Sequence, residues 1–186
     1  VLWNRDQKYY DSAKWRGTWK YDGGALMNQS SHYVDLLTWL IGPIDYIHSI
    51  NSTLKRKIEV EDTSILNLKF KSGAVGSFST TMLTYKKNYE GSITILGEKG
   101  TVKIGGLAVN EISKWEFDKK KLYDKKIDKL TYKTTSVYGN GHKHLYKNII
   151  NFFQKNEKIE TDGKEGLKSL EVIEAAYISS KTNKIV

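Results

Sequence analysis

The sequence contains no cysteine, a single proline and no long apolar run. The absence of cysteine excludes a disulfide scaffold, a thiolate zinc site and a cysteine nucleophile, and it favours a reducing cytoplasm as the compartment. No apolar stretch approaches the roughly 20 residues of a membrane-spanning helix, and no charged-then-apolar leader begins at Val1. With 39% hydrophobic and 12% aromatic residues among 186, the composition predicts a globular protein without a membrane partner.

Arginine is also scarce. Lysine and arginine together number 30 and give a net charge of +9, yet the only arginines are Arg5, Arg16 and Arg56. A basic protein can attract nucleic acid, and such a binder would lose affinity steeply as salt rises. Sequence-specific base contacts depend chiefly on arginine, however, whereas lysine suits solvated surfaces. We therefore expect no nucleic-acid partner, and we interpret Arg56, which lies between two lysines, as surface.

Hydrophobic periodicity predicts one helix near the start of the chain. The helical period runs from Ala25 to Ile41, with Asp22 as the expected N-cap and Gly42-Pro43 as the stop. After Pro43, apolar residues alternate with polar or small ones, and glycine-containing turns separate the alternating runs. Short turns between such runs predict antiparallel strands.

The remainder of the chain completes the predicted fold. Residues 114–133 are lysine-rich and predict an exposed hairpin or loop. Two amphipathic helices follow, the first ending by Asn156 and the second running from Gly166 to about Lys181. The sequence therefore predicts one α+β domain over residues 1–186, with a large, mostly antiparallel open sheet and helices packed on one face.

Positive charge is missing from one segment. The 34 residues 21–54 contain neither lysine nor arginine. The predicted helix has one apolar face, and the opposite face carries Asn28, His32, Asp35 and Trp39. Because this polar face lacks lysine and glutamate, we expect it to be enclosed. This face could be a catalytic or binding site, in which the histidine exchanges protons, the aspartate orients it and the amide binds a hydroxyl-bearing ligand. Alternatively, it is a buried hydrogen-bond network that joins the helix to the sheet.

The segment before this helix adds further candidates. Arg5 and Arg16 lie among tryptophans and tyrosines, and a planar guanidinium suits bidentate binding of a carboxylate or phosphate. His142 and His144 have no cysteine and few other ligand residues nearby, so we expect no metal site. The Gly139-Asn140-Gly141 turn lacks the third glycine and the preceding strand of a dinucleotide-binding fingerprint.

Several motifs together resemble one family. They are W-R-G-T-W-x-x-D-G-G-A-L-M-N-Q-x-x-H-x-x-D-L-L-x-W-L-x-G from residue 15, E-V-E-D-T at 59–63, F-K-S-G-A-V-G at 70–76, I-L-G-E-K-G-T-V at 95–102 and D-G-K-E-G-L-K-S-L-E-V-I-E-A-A-Y at 162–177. In this order they are similar to the C-terminal, substrate-binding domain of the Gfo/Idh/MocA oxidoreductases, whose fold is that of the dihydrodipicolinate-reductase C-terminal domain. The W-R-G-T-W and N-Q-x-x-H variants resemble the branch acting on nucleotide-linked amino-sugar uronates, such as UDP-N-acetylglucosaminuronate 3-dehydrogenases.

The resemblance implies roles for individual residues. His32 matches the family's catalytic histidine, and Asp35 matches the aspartate three residues later that assists it. Asn28 stands where many members have an aspartate, a departure that argues against the polyol branch. Substrate contacts are implied for Asn28, Gln29, Arg5 and Arg16, with Arg16 a candidate for an anionic group. The implied reaction is hydride transfer from a sugar carbinol to NAD or NADP, with the hydroxyl proton taken either by His32 or by a lysine of the family's cofactor-binding domain.

The resemblance also implies a second domain that this chain does not contain. In the family, an N-terminal Rossmann domain holds most of the NAD or NADP and supplies a lysine. The chain begins at Val1 without a methionine, and we expect it to be one excised domain that is inactive alone.

The family implies a homo-oligomer formed through the open sheet face. The alternative is a non-catalytic oligomerisation or ligand-binding module that has lost the cofactor half.

Overall fold

The computed structural model describes residues 1–186, except for the side chain of Asp128. The chain forms two compact units, one comprising Val1–Tyr89 with Gly163–Val186 and the other Glu90–Asp162. The helices are α1 (Gln7–Asp11), α2 (Ser31–Ile41), α3 (Gly141–Lys155) and α4 (Gly163–Thr182), with a π-helical turn at Ala25–Gln29 and a 3-10 helix at Leu122–Lys129. The strands are β1 (Ile44–Ser52), β2 (Thr63–Phe70), β3 (Val75–Thr81), β4 (Ile93–Gly97), β5 (Gly100–Gly105) and β6 (Glu111–Phe117).

The predicted α+β class is confirmed, and all strands pair antiparallel within their sheets. The six strands form two sheets of three, β1-β2-β3 in the first unit and β4-β5-β6 in the second, where the sequence predicts one large sheet. Alternation along β2 buries Leu66, Leu68 and Phe70 on one face. Helix α4 packs against β1 and against α2, so helices cover the buried side of the first sheet.

Both edges of the first sheet are closed by the ends of the chain. At β3, the Trp3 N–H donates to the Thr81 carbonyl at 2.9 Å. At β1, the Ser49 N–H donates to the Ser179 hydroxyl at 3.0 Å and the Asn51 N–H donates to the Ser180 hydroxyl at 2.9 Å. A sheet edge whose N–H and C=O groups are already bonded cannot add a strand. This explains why the first sheet stops at three strands.

For the helix predicted over Ala25–Ile41, which corresponds to α2, the predicted end is confirmed and the predicted start is wrong. It ends at Gly42, which adopts a φ of 105° that residues with a side chain rarely adopt. The Gly42 N–H donates to the Thr38 carbonyl at 3.0 Å. Its α-helical part begins only at Ser31, because the preceding residues form the π-helical turn. Asp22 does not cap α2; its carboxylate instead accepts hydrogen bonds from the Gly17 N–H and the Asn28 amide.

The π-helical turn is held by groups from other parts of the first unit. The Leu26 N–H donates to the Glu61 carboxyl at 2.8 Å, and the Ala25 N–H donates to the Glu61 backbone carbonyl at 3.0 Å. The Tyr177 hydroxyl of α4 accepts from the Gly24 N–H at 3.3 Å and donates to Glu61 Oε1 at 3.2 Å. A Cβ on residue 24 would overlap the Glu61 carboxyl. Glycine at this position therefore allows the carboxyl to approach the turn.

In the second unit, β6 leads into the 3-10 helix. The Trp115 ring packs against Phe117 and Tyr123, with centroids 5.0 and 6.4 Å apart, and its Nε1–H donates to Asp124 at 3.1 Å. The predicted loop at 114–133 thus contains the end of a strand and a helix. Helix α3 ends before Asn156, which adopts φ 55°, as predicted. Among the helices of the described residues, none is long and apolar enough to cross a membrane.

The Glu61 carboxyl gives the first unit a predictable pH dependence. Burial raises the pKa of Glu61 above the ordinary 4.5, so the folded protein keeps a proton that the unfolded chain has already released. Ionisation of Glu61 therefore removes stability as pH rises above 4.5. We expect Glu61→Gln, which has no such proton, to become progressively more stable relative to the unsubstituted protein as pH rises from 4.5 through neutral.

Urea unfolding of both proteins across this range measures the difference in the free energy of unfolding. A difference that does not change with pH would contradict the prediction.

Candidate functional site

Four predicted substrate contacts lie around Tyr9: Arg5, Arg16 and Gln29 contact it directly, and Asn28 is joined to it through Gln29. The Arg16 guanidinium lies over the Tyr9 ring at 4.1 Å from its centroid, and the Arg5 guanidinium lies at 5.3 Å. The Gln29 amide donates to the Tyr9 hydroxyl at 3.1 Å and also to Asn28 Oδ1. We call Arg5, Tyr9, Arg16, Asn28 and Gln29 the Tyr9 cluster. It brings together Tyr9 of α1, Arg5 just before α1, Arg16 from the segment after α1 and the two amides of the π-helical turn.

Aromatic rings contact both arginines of the Tyr9 cluster, and Arg5 also donates to Asn88 Oδ1 at 3.2 Å. Arg5 also lies over the Trp3 ring at 5.2 Å and donates to the Asn4 carbonyl at 2.7 Å, while Arg16 lies over the Trp15 ring at 4.5 Å. Within the described part of the chain, no carboxylate forms an ion pair with either arginine. The buried Arg16 Nε has no hydrogen-bond partner there. The two arginines therefore form no ion pair with a carboxylate among the described residues, although Asp22 bonds to Asn28 of the cluster, and guanidinium groups so placed attract anions.

The amides of the cluster are fixed by a chain of hydrogen bonds. The Asn28 Nδ2 donates to Asp22 Oδ1, and the Asn28 Oδ1 accepts from Gln29. Asp22 in turn accepts from the Gly17 N–H, close to Arg16 in the chain. Asp22 and Tyr9 therefore orient the two amides, and sequence reasoning assigned neither of them this role.

An open groove of about 570 Å³ lies beside Arg16. Its lining includes Tyr10, Lys14, Arg16, Gly17 and Lys57. Its volume falls within the range of small-molecule sites. Lys14, Arg16 and Lys57 are all basic, although Asp11 and Glu59 also line the groove. The groove therefore offers space for a molecule with anionic groups next to the Tyr9 cluster.

His32 and Asp35 lie on the outer face of α2. Both are exposed, and Trp39 on the same helix is 76% exposed. Within the described residues, no hydrogen bond or ion pair joins His32 to Asp35. The expectation of an enclosed face is wrong for this chain, and the buried Asn-His-Asp network is absent from the described structure. The reason is that α2 buries its opposite face through Tyr33 and Val34.

Asn28 lies outside this helical register. Because α2 begins at Ser31 and Asn28 belongs to the π-helical turn, the spacing of 100° per residue in an α-helix does not place Asn28 on the same face as His32. Asn28 instead joins Gln29 in the Tyr9 cluster. The predicted site residues thus divide into two groups, four in the Tyr9 cluster and two on the exposed face of α2.

Arg56 is not surface: it is partly buried and its Nη2 donates to the Met82 carbonyl at 3.3 Å. His142 lies 5.5 Å from the Tyr138 ring and 6.3 Å from the Tyr146 ring, by centroids. No group of three metal-ligating side chains occurs in the part of the chain that the structure describes.

Glu61 is the main residue that sequence reasoning missed. It is only 4% exposed, and its Oε2 has no hydrogen-bond partner among the described residues. Burial raises the pKa of Glu61 and also that of Tyr177. The only sequence signal was the E-V-E-D-T motif, whose acidic residues would ordinarily be assigned to a solvated turn.

Comparisons with known proteins agree with this fold. A model of the oxidoreductase family's C-terminal alpha/beta domain matches residues 1–186. The WlbA dehydrogenase from Bordetella pertussis, solved with NADH and UDP-GlcNAcA, is 53% identical with a TM-score of 0.94, covering 100% of this chain and 54% of that chain. The WlbA dehydrogenase from Chromobacterium violaceum, solved with the same molecules, is 53% identical with a TM-score of 0.92, covering 100% of this chain and 52% of that chain.

A more distant structure, a levoglucosan dehydrogenase in complex with NADH and levoglucosan, is 17% identical with a TM-score of 0.72, covering 91% of this chain and 53% of that chain. At this identity the likeness shows the fold alone. No curated protein matches the sequence. The chain spans about half the length of the WlbA structures. It belongs to the Gfo/Idh/MocA oxidoreductase family and corresponds to that family's C-terminal alpha/beta domain.

Proposed function

We propose that the protein containing this chain is an NAD(P)-dependent dehydrogenase of a nucleotide-linked amino-sugar uronate, and that residues 1–186 are its substrate-binding domain. The observation that carries the proposal is the cluster around Tyr9: two arginines that form no ion pair among the described residues and the Gln29 amide contact Tyr9, and Gln29 joins Asn28 to them. The 53% identity to dehydrogenases solved with NADH and UDP-GlcNAcA supports the same substrate class.

The chemistry of such a substrate suits the Tyr9 cluster. A sugar nucleotide of this class carries an anionic diphosphate and a carboxylate, and a guanidinium fork can bind either with two hydrogen bonds. Arg16 stacks on Tyr9 and Trp15, which fixes the plane of its fork. Asn28 has used one of its two N–H groups and can still donate to a sugar hydroxyl, whereas Gln29 has used both of its N–H groups and can accept through Oε1. We assign Arg5 and Arg16 to anionic groups of the substrate and the two amides to its hydroxyls.

The proposed proton acceptor is His32. In oxidation of a carbinol, the hydroxyl loses a proton as the carbon loses a hydride, and an imidazole nitrogen can take that proton near neutral pH. Asp35 lies one turn further along α2 and would stabilise the charged imidazole. Because both side chains are exposed in this chain, we propose that the cofactor-bearing domain covers them in the complete enzyme.

The residues of this chain do not fit the phosphates of a dinucleotide. Its strands pair antiparallel within both sheets, and Gly139 and Gly141 precede α3 without a strand immediately before them. A dinucleotide fingerprint needs a glycine-rich turn between a parallel strand and a helix. We therefore propose that a Rossmann domain binds NAD or NADP, which accepts the hydride, and that residues 1–186 alone do not turn over substrate. The cytoplasm, where both cofactor and sugar nucleotide are available, is the proposed compartment.

We also propose that the protein is a homo-oligomer joined through the open face of the first sheet. That face presents Ile50, Ile65 and Val75, all of which are exposed. Ile50 and Ile65 are register partners on neighbouring strands, so their side chains adjoin. Adjoining exposed apolar side chains on a sheet favour association. This surface also favours the second candidate function, an oligomerisation module.

Replacing Arg16 by lysine tests the substrate contact. Lysine keeps the charge but loses the planar fork and its stacking on Tyr9, so we expect the KM for UDP-GlcNAcA to rise about tenfold, equivalent to about 1.4 kcal/mol. Steady-state kinetics with NAD measure this change. Lys71→Ala, which removes an exposed charge outside the groove beside Arg16, is the control and should leave KM within about twofold. An unchanged KM in Arg16→Lys would contradict the assignment.

Replacing His32 by alanine tests the proton acceptor. We expect kcat to fall by about 100-fold or more while the KM for the sugar nucleotide changes little, because general base catalysis acts on the chemical step. The control is His144→Ala on α3. Equal kcat values for His32→Ala and the unsubstituted protein would exclude the role.

Sedimentation tests the oligomer. We expect a dimer or larger species at micromolar concentration, and Ile65→Lys should shift it toward the monomer, since a charge on an apolar interface must be desolvated. A monomer in the unsubstituted protein would overturn the proposal.

A further inference from the structure

The π-helical turn that carries Asn28 and Gln29 is anchored at three successive backbone N–H groups. Those of Gly24, Ala25 and Leu26 donate to the Tyr177 hydroxyl, the Glu61 carbonyl and the Glu61 carboxyl. Such groups at the start of a helical segment have no partner within the segment. Glu61, just before β2, and Tyr177 on α4 therefore accept hydrogen bonds from all three N–H groups.

The two anchoring residues also fix each other. The Tyr177 hydroxyl donates to Glu61 Oε1 at 3.2 Å while accepting from Gly24. Tyr177 is further held by Trp19, whose ring meets it edge-on at 5.2 Å between centroids. Glu61 is nearly fully buried and borders the Gly24 backbone, where a side chain on residue 24 would displace it. The carboxyl therefore has little freedom to move away from the turn.

The anchored residues determine where the amides lie. The Asn28 N–H donates to the Gly24 carbonyl at 2.9 Å, so the turn closes directly on the anchored residue. Leu26, between the anchor and the amides, is fully buried. A π-helical turn is a rare geometry that persists where surrounding groups hold it. A turn held at Gly24 and Leu26 places Asn28 and Gln29 in the Tyr9 cluster.

We propose that Glu61, oriented by Tyr177, is a positioning residue for substrate binding: it holds the π-helical turn so that Asn28 and Gln29 face the sugar hydroxyls. This inference rests on the proposed function. Glu61 itself touches no substrate. Its loss weakens recognition of the sugar nucleotide and leaves recognition of the cofactor, which another domain binds, unchanged.

The experiment compares four variants of the protein that contains this chain. Glu61→Ala removes the carboxyl, whereas Glu61→Gln keeps an oxygen that can accept from Leu26 and Tyr177. Tyr177→Phe removes only the hydroxyl. Ser179→Ala is the matched control, because it also removes a buried α4 hydroxyl that accepts a backbone N–H, in this case that of Ser49 on β1.

Two readouts are measured: amide hydrogen exchange of residues 24–29, and the KM values for UDP-GlcNAcA and for NAD. For Glu61→Ala and Tyr177→Phe we expect exchange in this segment to accelerate about tenfold and the sugar-nucleotide KM to rise about tenfold, with the NAD KM unchanged. Glu61→Gln should stay within about threefold of the unsubstituted protein in both readouts. Ser179→Ala should change neither.

Unchanged exchange in both Glu61→Ala and Tyr177→Phe would overturn the inference, whatever the substrate proves to be. So would equal increases of both KM values, or an increase in Ser179→Ala that matches Tyr177→Phe. If the unsubstituted protein does not oxidise UDP-GlcNAcA, the proposed function fails separately, and the exchange measurement still decides whether Glu61 holds the turn.

Discussion

The arrangement of the first unit depends on one buried carboxyl group placed beneath a backbone turn. Burying a carboxyl without partners is costly, but backbone N–H groups left unsatisfied inside a protein are costly as well. Glu61 accepts from Leu26 through its carboxyl and from Ala25 through its carbonyl, so one residue satisfies two such groups. Because Glu61 precedes β2 and Tyr177 lies on α4, this contact joins the sheet, the turn and the closing helix.

A second constraint follows from the scarcity of arginine. Two of the three arginines lie on opposite sides of the same tyrosine in the sequence, and both contact its ring. Ring faces hold a guanidinium by its plane and leave its N–H groups free to bind elsewhere. Tyr9 also accepts from Gln29, so it connects the charged and the amide parts of the cluster. A lysine could not replace either arginine here without losing the stacked geometry.

Periodicity and turn residues predicted the local elements, and contacts distant in sequence decided the rest. The stop at Gly42, the antiparallel strands and the end of α3 before Asn156 follow from neighbouring residues and are confirmed. The late start of α2 could not be predicted, since its cause is bonding to Glu61 and Tyr177, far along the chain. The three-stranded limit of the first sheet likewise depends on chain termini that cover its edges.

The segment without lysine or arginine requires a different explanation from the one its sequence suggested. Burial would explain the absence of charge, but His32, Asp35 and Trp39 are exposed. An exposed helix face that excludes lysine and keeps a large indole is typical of a contact surface rather than a solvated one. In the proposed enzyme this face receives the reacting carbon of the sugar and the cofactor-bearing domain. If His32 has the proposed role, a lysine on this face would place a flexible charge between His32 and the sugar, and this would account for the absence of lysine there.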